Sequence, residues 1–309
     1  MGKKNLKIDM KKMLFVIGKW FKILLTWISP KLNTEALYFF HFKRRIDLKN
    51  PKTLDEKIQW LKFNRYYPNP LVTQCADKYA VRGYVEKCGC GEILNELYGA
   101  YDSVDEVPWE QLPNQFVLKW NFGCGHNLIC FDKSTLDIDD AKRKLKKWYK
   151  EHKTFYMIYS GMQYKDIVPK LICEKLIETE DGKLPLDYKL YCFNGKPDSV
   201  LLCANRDTEG HNAAYYFFDK DWKLKRYNKR GLEAPEDFTL PKPENFEKLF
   251  EYAAILSQPF PFVRADFYLE NGKITFGELT FTPAGGFDPN RLPETQRLFG
   301  DMVDLNYKA

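Results

Sequence analysis

The chain has 309 residues, of which 44% are hydrophobic, 29% charged and 16% aromatic, with a formal net charge of +6. Those values exclude a disordered, collagenous or disulfide-scaffold protein, and the length allows about two domains or one enzyme of several subdomains. The positive charge gathers near the start, at Lys3, Lys4, Lys7, Lys11, Lys12, Lys19, Lys22 and Lys43-Arg44-Arg45, without a matching acidic cluster; this favours an anionic surface or substrate, and nucleic acid is not expected.

Residues 13–28 form an apolar segment with Met13, Leu14, Val16, Ile17, Trp20, Phe21, Leu24 and Trp27, interrupted by Lys19 and Lys22 and ended by Pro30. It is too short to span a bilayer and lacks a cleavage site, so an interfacial helix on anionic inner-leaflet lipid fits, as does a helix docked on the protein itself. Thr53 and Glu56 form a capping box for a helix over 54–64. Asn69-Pro70 introduces a second helix, read as one element from 71 to 88. A strand follows over 115–120, then the glycine-bearing loop 121–127 and a short strand over 128–131. Residues 136–152 read as a lysine-rich amphipathic helix. Two strands, 170–178 and 188–193, are joined by a polar turn at Asp181-Gly182, and Asn194-Gly195 makes a hairpin to 199–204. A helix over 244–256 precedes the last hairpin.

The eight cysteines, at 75, 88, 90, 124, 130, 173, 192 and 203, show no paired Cys-x-x-Cys spacing and read as reduced residues of a cytosolic protein. Four histidines, 41, 126, 152 and 211, show no Ser or Cys partner in a triad context, and His126 in the glycine loop is the one of interest.

The last hairpin, 262–281, sets charge into apolar strands. Arg264 and Asp266 share one strand face, and Glu278 and Thr280 share another. A two-residue turn at Asn271-Gly272 would put Asp266 and Glu278 on opposite faces; a three-residue loop from Glu270, with Gly272 left-handed at a bulge, puts them on the same face and is the form a shared metal site requires. Converging carboxylates with a hydroxyl suit Mg²⁺ shared with substrate phosphates, whereas a solvated sheet face would carry ordinary polar residues. Earlier in the chain, Lys119 ends a strand that leads into Gly123 and Gly125, an arrangement able to hold phosphate but equally able to be a solvent-facing lysine before a tight hairpin.

Taken in order, Asp77-Lys78, Lys119 with its glycine loop, Glu174-Lys175-Leu176-Ile177, Asp187 with Lys189, Arg264-x-Asp266 and Glu278-x-Thr280 resemble the ATP-grasp superfamily. More narrowly, the segments 50–61, 77–81, 112–119, 187–195 and 277–287 look like the TupA-like ATP-grasp proteins, a family associated with teichuronopeptide and other cell-surface polysaccharide synthesis. The resemblance implies an α+β ATP-grasp fold, two subdomains clamping ATP behind an N-terminal helical region. The expected divisions are a basic amphipathic helix over 1–35, a helical region over 36–110, a lid and adenine-hinge subdomain over 111–190, and a Mg²⁺-binding subdomain over 191–309.

By position, the resemblance implies Lys78 and Lys119 on ATP phosphates with Gly123 and Gly125 in a lid over them. Glu174, Lys175, Leu176 and Ile177 would form the adenine hinge, and Asp187 would lie near the ribose. Asp266 and Glu278 would bind Mg²⁺, with Thr280, where many relatives have Asn, as a third position; Arg264 would face the transferred phosphoryl group, and Lys189 or Arg206 the acceptor. The implied reaction is ATP-dependent ligation of a carboxylate to an amine through an acyl phosphate, on a cell-surface glycan or its precursor. The expected station is the cytoplasm, with peripheral contact to the inner membrane face through 13–28. A glycosyltransferase of polysaccharide synthesis is the alternative, although no convincing Asp-x-Asp motif is present; a non-catalytic membrane-associated scaffold is the third reading.

Overall fold

The computed structural model describes residues 2–179, 183–204 and 213–308, with side chains described from Met13 onward except at 15. Two long helices open the chain, α1 (Gly2–Ile28) and α2 (Pro30–Phe42). Pro30 stands in the first turn of α2, where its missing N–H costs nothing, and Ser29 caps Leu32. The capping box is present at α3 (Leu54–Asn64), where Thr53 and Glu56 serve each other's backbone N–H groups. The helix expected over 71–88 is two, α4 (Pro70–Ala76) and α5 (Val81–Lys87). Asp77 breaks it: its backbone turns extended and its carboxylate accepts from the N–H groups of Tyr79 and Ala80, which offers the chain an alternative to helix.

Four strands make a small antiparallel sheet: β1 (Leu97–Tyr101), β2 (Phe116–Trp120), β3 (Asn127–Cys130) and β4 (Leu171–Glu174), in the order β1-β4-β2-β3. Between β3 and β4 lie α6 (Ile138–Tyr149) and α7 (His152–Ile158), so the helix expected over 136–152 ends sooner and is followed by another. Leu145 of α6 is buried, and its carbonyl accepts from the Trp120 indole N–H at 3.0 Å.

The second sheet has six antiparallel strands: β5 (Asp187–Phe193), β6 (Lys196–Ala204), β7 (Ala214–Asp219), β8 (Leu224–Lys225), β9 (Phe262–Glu270) and β10 (Lys273–Thr280), in the order β10-β9-β5-β6-β7-β8. β4 and β5, read as neighbours across a polar turn, therefore belong to different sheets. Asn194 and Gly195 both have positive φ, as the expected two-residue hairpin requires. The short α8 (Lys229–Glu233) precedes α9 (Phe246–Ser257), which buries Leu249, Ala253 and Leu256 against β5, β6 and β9. α10 (Pro293–Met302) closes the chain on α3, where Arg291 and Gln296 meet Asp55 at 2.9 and 2.5 Å in the interior.

The β9–β10 hairpin differs from its expected form in an instructive way. Asn271 and Gly272 have φ of 49° and 73°, and Lys273 pairs with Glu270, so the turn has two residues and not three. Asp266 nonetheless lies opposite Glu278, because the register shifts between Phe276 and Glu278. Gly277 is the extra residue of a β-bulge, and the bulge restores the common face that a two-residue turn would have denied. A Cβ on Gly277 would lie 3.0 Å from the Asp266 carbonyl oxygen. Gly277→Val is therefore expected to lower the free energy of unfolding in urea by about 1–3 kcal/mol through local overpacking.

Candidate active site

Strand register puts charge into rows. Lys189 of β5 lies beside Asp266 of β9, which lies beside Glu278 of β10; in the next row on the same face stand Tyr191, Arg264 and Thr280. Neighbours across strands come within contact distance, so these side chains form one network. Arg264 grips Asp266 with two parallel bonds, Nε to Oδ1 at 2.7 Å and Nη2 to Oδ2 at 2.6 Å. Lys189 donates to Asp266 Oδ2 at 2.8 Å and also to Asp187. Thr280 Oγ1 sits between the rows, accepting from Arg264 Nη2 and donating to Glu278 Oε1, each at 3.2 Å. Lys78 reaches Glu278 Oε2 at 3.4 Å from the segment between α4 and α5.

Burial sets the electrostatics of this network. It pushes the Asp266 carboxyl upward, while Arg264 and Lys189 pull the other way. Both cations are raised despite their own burial, since the carboxylates favour their charged forms. At Glu278 burial also acts upward, but Lys78, Lys189 and Arg264 outweigh it and hold the carboxyl down to about 2. The Asp266 side chain is 4% exposed, whereas Glu278 keeps 35% and opens to the space between the sheets.

Across that space stands the small sheet. Lys119 of β2 pairs with Glu174 at the end of β4 at 2.6 Å, and Glu174 holds its ammonium above the ordinary lysine value against the effect of burial. Arg82 of α5 approaches the other Glu174 oxygen at 3.5 Å and donates to Asn95 O. The Lys175 N–H donates to Glu96 O and its carbonyl accepts from Asn95, so this residue is tied to the chain before β1. Gly123 and Gly125, in the loop between β2 and β3, have φ of 84° and 74°, a conformation glycine adopts without strain. Gly123 O accepts from Lys78 Nζ at 2.5 Å. His126 stacks flat on Trp148, centroids 5.1 Å apart, and so fastens the loop to α6.

A cleft of about 320 Å³ lies between the sheets. Of the residues expected at a nucleotide site, Lys78, Lys119, Gly125, Glu174, Lys175, Leu176, Ile177, Asp187, Lys189, Asp266 and Glu278 all line it. Val117, Ile129, Leu176, Ile177 and Phe276 give it an apolar slot, and Lys78, Lys189, Asp266 and Glu278 a charged region. Arg264 and Thr280 stand behind that lining, bonded to Asp266 and Glu278. Arg206 lies outside the described residues, as do His211 and the turn Asp181-Gly182. Among the described residues no group of three or more His, Cys, Asp or Glu side chains converges as a metal cluster. Asp266 and Glu278 as cross-strand neighbours fit a hard cation whose remaining ligands are phosphate oxygens and water.

Sequence reasoning passed over Asn121, which the structure makes a hub. Fully buried, it accepts from Lys170 N–H at 2.8 Å and donates to Val168 O at 2.9 Å and to Asp77 Oδ2 at 2.8 Å, while its carbonyl receives the Lys78 N–H at 3.0 Å. It thereby fixes Lys78 relative to β2 and β4. The available signal was an amide directly after an apolar strand, where a buried polar group needs partners from elsewhere in the fold. Arg82 was passed over for a similar reason: its meeting with Glu174 joins residues 92 positions apart.

The family model described as TupA-like ATPgrasp matches residues 56–304. No curated protein matches in sequence. Among solved structures, D-alanine–D-alanine ligase from Bacillus anthracis, complexed with ATP, is similar at TM-score 0.47 and 13% identity over 75% of this chain. L-amino acid ligase from Bacillus licheniformis is similar at TM-score 0.45 and 11% identity over 81% of this chain. The chain spans 66% of the first protein and 54% of the second.

Two outcomes are expected from the geometry of the cleft. Glu278 has its carboxyl lowered from 4.5 to about 2, so its contribution to stability is complete above 4.5 and is lost as pH falls towards 2. Over that window, thermal unfolding of Glu278→Gln is expected to depend less steeply on pH than that of the wild type. Asn121→Ala removes the side-chain partner of the Lys170 N–H, Val168 O and Asp77 Oδ2, and is expected to cost about 1–3 kcal/mol in denaturant unfolding.

Proposed function

Because this chain belongs to the TupA-like ATP-grasp family and has the α+β ATP-grasp fold, we propose that it is an ATP-dependent carboxylate–amine ligase that works through an acyl phosphate. The observation that carries this reading is the cleft between the sheets, with an apolar slot and, in the same cavity, Lys78, Lys119 and Lys189 together with Asp266 and Glu278. Such a cavity accommodates a planar base and a polyphosphate at once.

Adenine enters the slot between Val117, Ile129 and Phe276. Since the Lys175 N–H is engaged by Glu96, the hinge contact falls on Leu176 and Ile177. Asp187, lining the same cavity, takes the ribose side. Lys78 and Lys119 hold phosphate oxygens, with Gly123 and Gly125 in the covering loop, and Arg264 stabilises the charge of the transferred phosphoryl group. Asp266 and Glu278 would hold Mg²⁺, which would supply neutralisation of the phosphates' negative charge. Thr280, bonded to both Arg264 and Glu278, orients those two residues and stands as the third position beside the metal.

In the first step a substrate carboxylate oxygen forms a bond to the γ-phosphorus as the bond to the bridging oxygen of ADP breaks. An amine then attacks the acyl carbon; a C–N bond forms, inorganic phosphate departs with the C–O electron pair, and the amine loses its proton. Closure of the 123–127 loop excludes water, which would otherwise hydrolyse the acyl phosphate. Lys189, set between Asp187 and Asp266, and Arg206 are the cations proposed to meet the acceptor. The resemblance to proteins associated with cell-surface polysaccharide synthesis supports a sugar carboxylate, on a polysaccharide or its precursor, as that acceptor.

The test is phosphate release from ATP in the presence of both a uronic-acid-type carboxylate and an amine. Turnover is expected to need both, to stop with EDTA, and to fall by about 10²–10³ in Lys119→Ala and in Asp266→Asn. Sugar transfer from a nucleotide sugar without ATP would overturn the ligase in favour of a glycosyltransferase. Separately, a structure with a non-hydrolysable ATP analogue is expected to place adenine against Leu176 and Ile177; adenine elsewhere would sink the assignment of the hinge.

A further inference from the structure

The amphipathic character of α1 is turned the opposite way from that of a helix packed into a core. Its protein-facing side is Lys19, Lys22, Ile23 and Thr26. Lys19 pairs with Glu151 at 3.2 Å, Lys22 stands 5.3 Å from the Tyr159 ring centre, and Thr26 donates to Met157 O at 2.6 Å. Asn33 of α2 bonds Thr26 and Ile158 O, locking both helices on α7. The other side carries Leu14, Ile17, Phe21, Leu24 and Ile28 at alternating spacings of three and four, flanked by Trp20 and Trp27, all more than half exposed. Phe39 and Phe40 of α2 are exposed as well. An outward apolar face of this size on a helix already fixed to its protein marks an interaction surface.

Charge selects the occupant. The first 45 residues carry eleven Lys and Arg against two acids, Asp9 and Glu35, although the whole chain has a net charge of only +6. A second copy laid on this face would bring two strongly basic segments together, which opposes self-association. An anionic bilayer complements both properties at once, with apolar side chains entering the acyl boundary and the net positive charge of the segment drawn to the anionic surface. Tryptophan is the residue that favours that interface. No helix among the described residues is long and apolar enough to cross a membrane, so the contact is one of lying on the surface. We propose that α1 and α2 dock this protein peripherally on an anionic lipid bilayer through the Leu14–Ile28 face, a role independent of the ligase reading.

The experiment is co-sedimentation of the full chain with vesicles of phosphatidylcholine alone and of phosphatidylcholine mixed with phosphatidylglycerol, in low and high salt. Binding is expected to be at least about tenfold stronger to the anionic vesicles and to weaken in high salt. It is also expected to bring a blue shift in tryptophan emission. Trp20→Glu with Leu24→Glu is expected to abolish binding while leaving the melting temperature unchanged, since neither side chain is buried. Absence of binding to anionic vesicles, or equal binding to both kinds, would overturn the proposal. So would a wild-type dimer in sedimentation velocity that the double variant dissolves, because the face would then belong to a second copy. The comparison between lipids uses only the wild type and stands even if the double variant misfolds.

Discussion

A charged group inside a sheet has to be partnered, and here the partnering is imposed by strand register. The row Lys189, Asp266, Glu278 exists only because β9 sits between β5 and β10 in one alignment. A slip of one residue in either pairing would turn a carboxylate to the opposite face and leave its cation without a counter-charge, at a cost of several kcal/mol. The electrostatics of the site therefore also specify the fold. Arg264 and Lys189 are as much determinants of register as they are candidates for chemistry, and the bulge at Gly277 is the device that reconciles a tight two-residue turn with the face the carboxylates must share.

The cleft depends equally on how the small sheet is held against this row. Asn121 ties Lys78 to the ends of β2 and β4 by backbone and side-chain bonds, so the lysine that spans the gap is anchored at its base. Glu174 performs a parallel task for Lys119, its two oxygens meeting Lys119 and Arg82. Beside these pairs, Leu176 and Ile177 give the cavity an apolar wall.

Much of this was legible in the sequence because it resides in local chemistry. The capping box at Thr53 and Glu56 and the Asn194-Gly195 turn follow from residue type and spacing alone. The helix broken at Asp77 was misread as continuous, since apolar spacing survives on both sides of a side chain that captures two backbone N–H groups. The hairpin turn was misread for a subtler reason. The requirement that Asp266 and Glu278 face the same way was sound, but a glycine at the turn and a glycine in the strand both satisfy it, and only the three-dimensional pairing distinguishes them. Asn121 and Arg82 act through partners distant in the chain, and no spacing rule reveals such partners. β1 and β7 also escaped notice: the first carries Gly99 and Ala100 between tyrosines, with every residue half-buried, and the second mixes tyrosine with phenylalanine without alternation.

The ion pair between Lys78 and Glu278 has one further consequence. Each side chain presently serves as the other's counter-ion across the cleft. An incoming anion that captures Lys78 strips Glu278 of the cation closest to it, and an incoming cation that captures Glu278 leaves Lys78 without its carboxylate. Either guest alone breaks one contact for each contact it makes, whereas both together exchange partners and leave no charge orphaned. A cleft whose lysine and carboxylate neutralise each other in this way acts as an ion exchanger: it disfavours a lone anion or a lone cation and favours the two arriving as a neutralised pair.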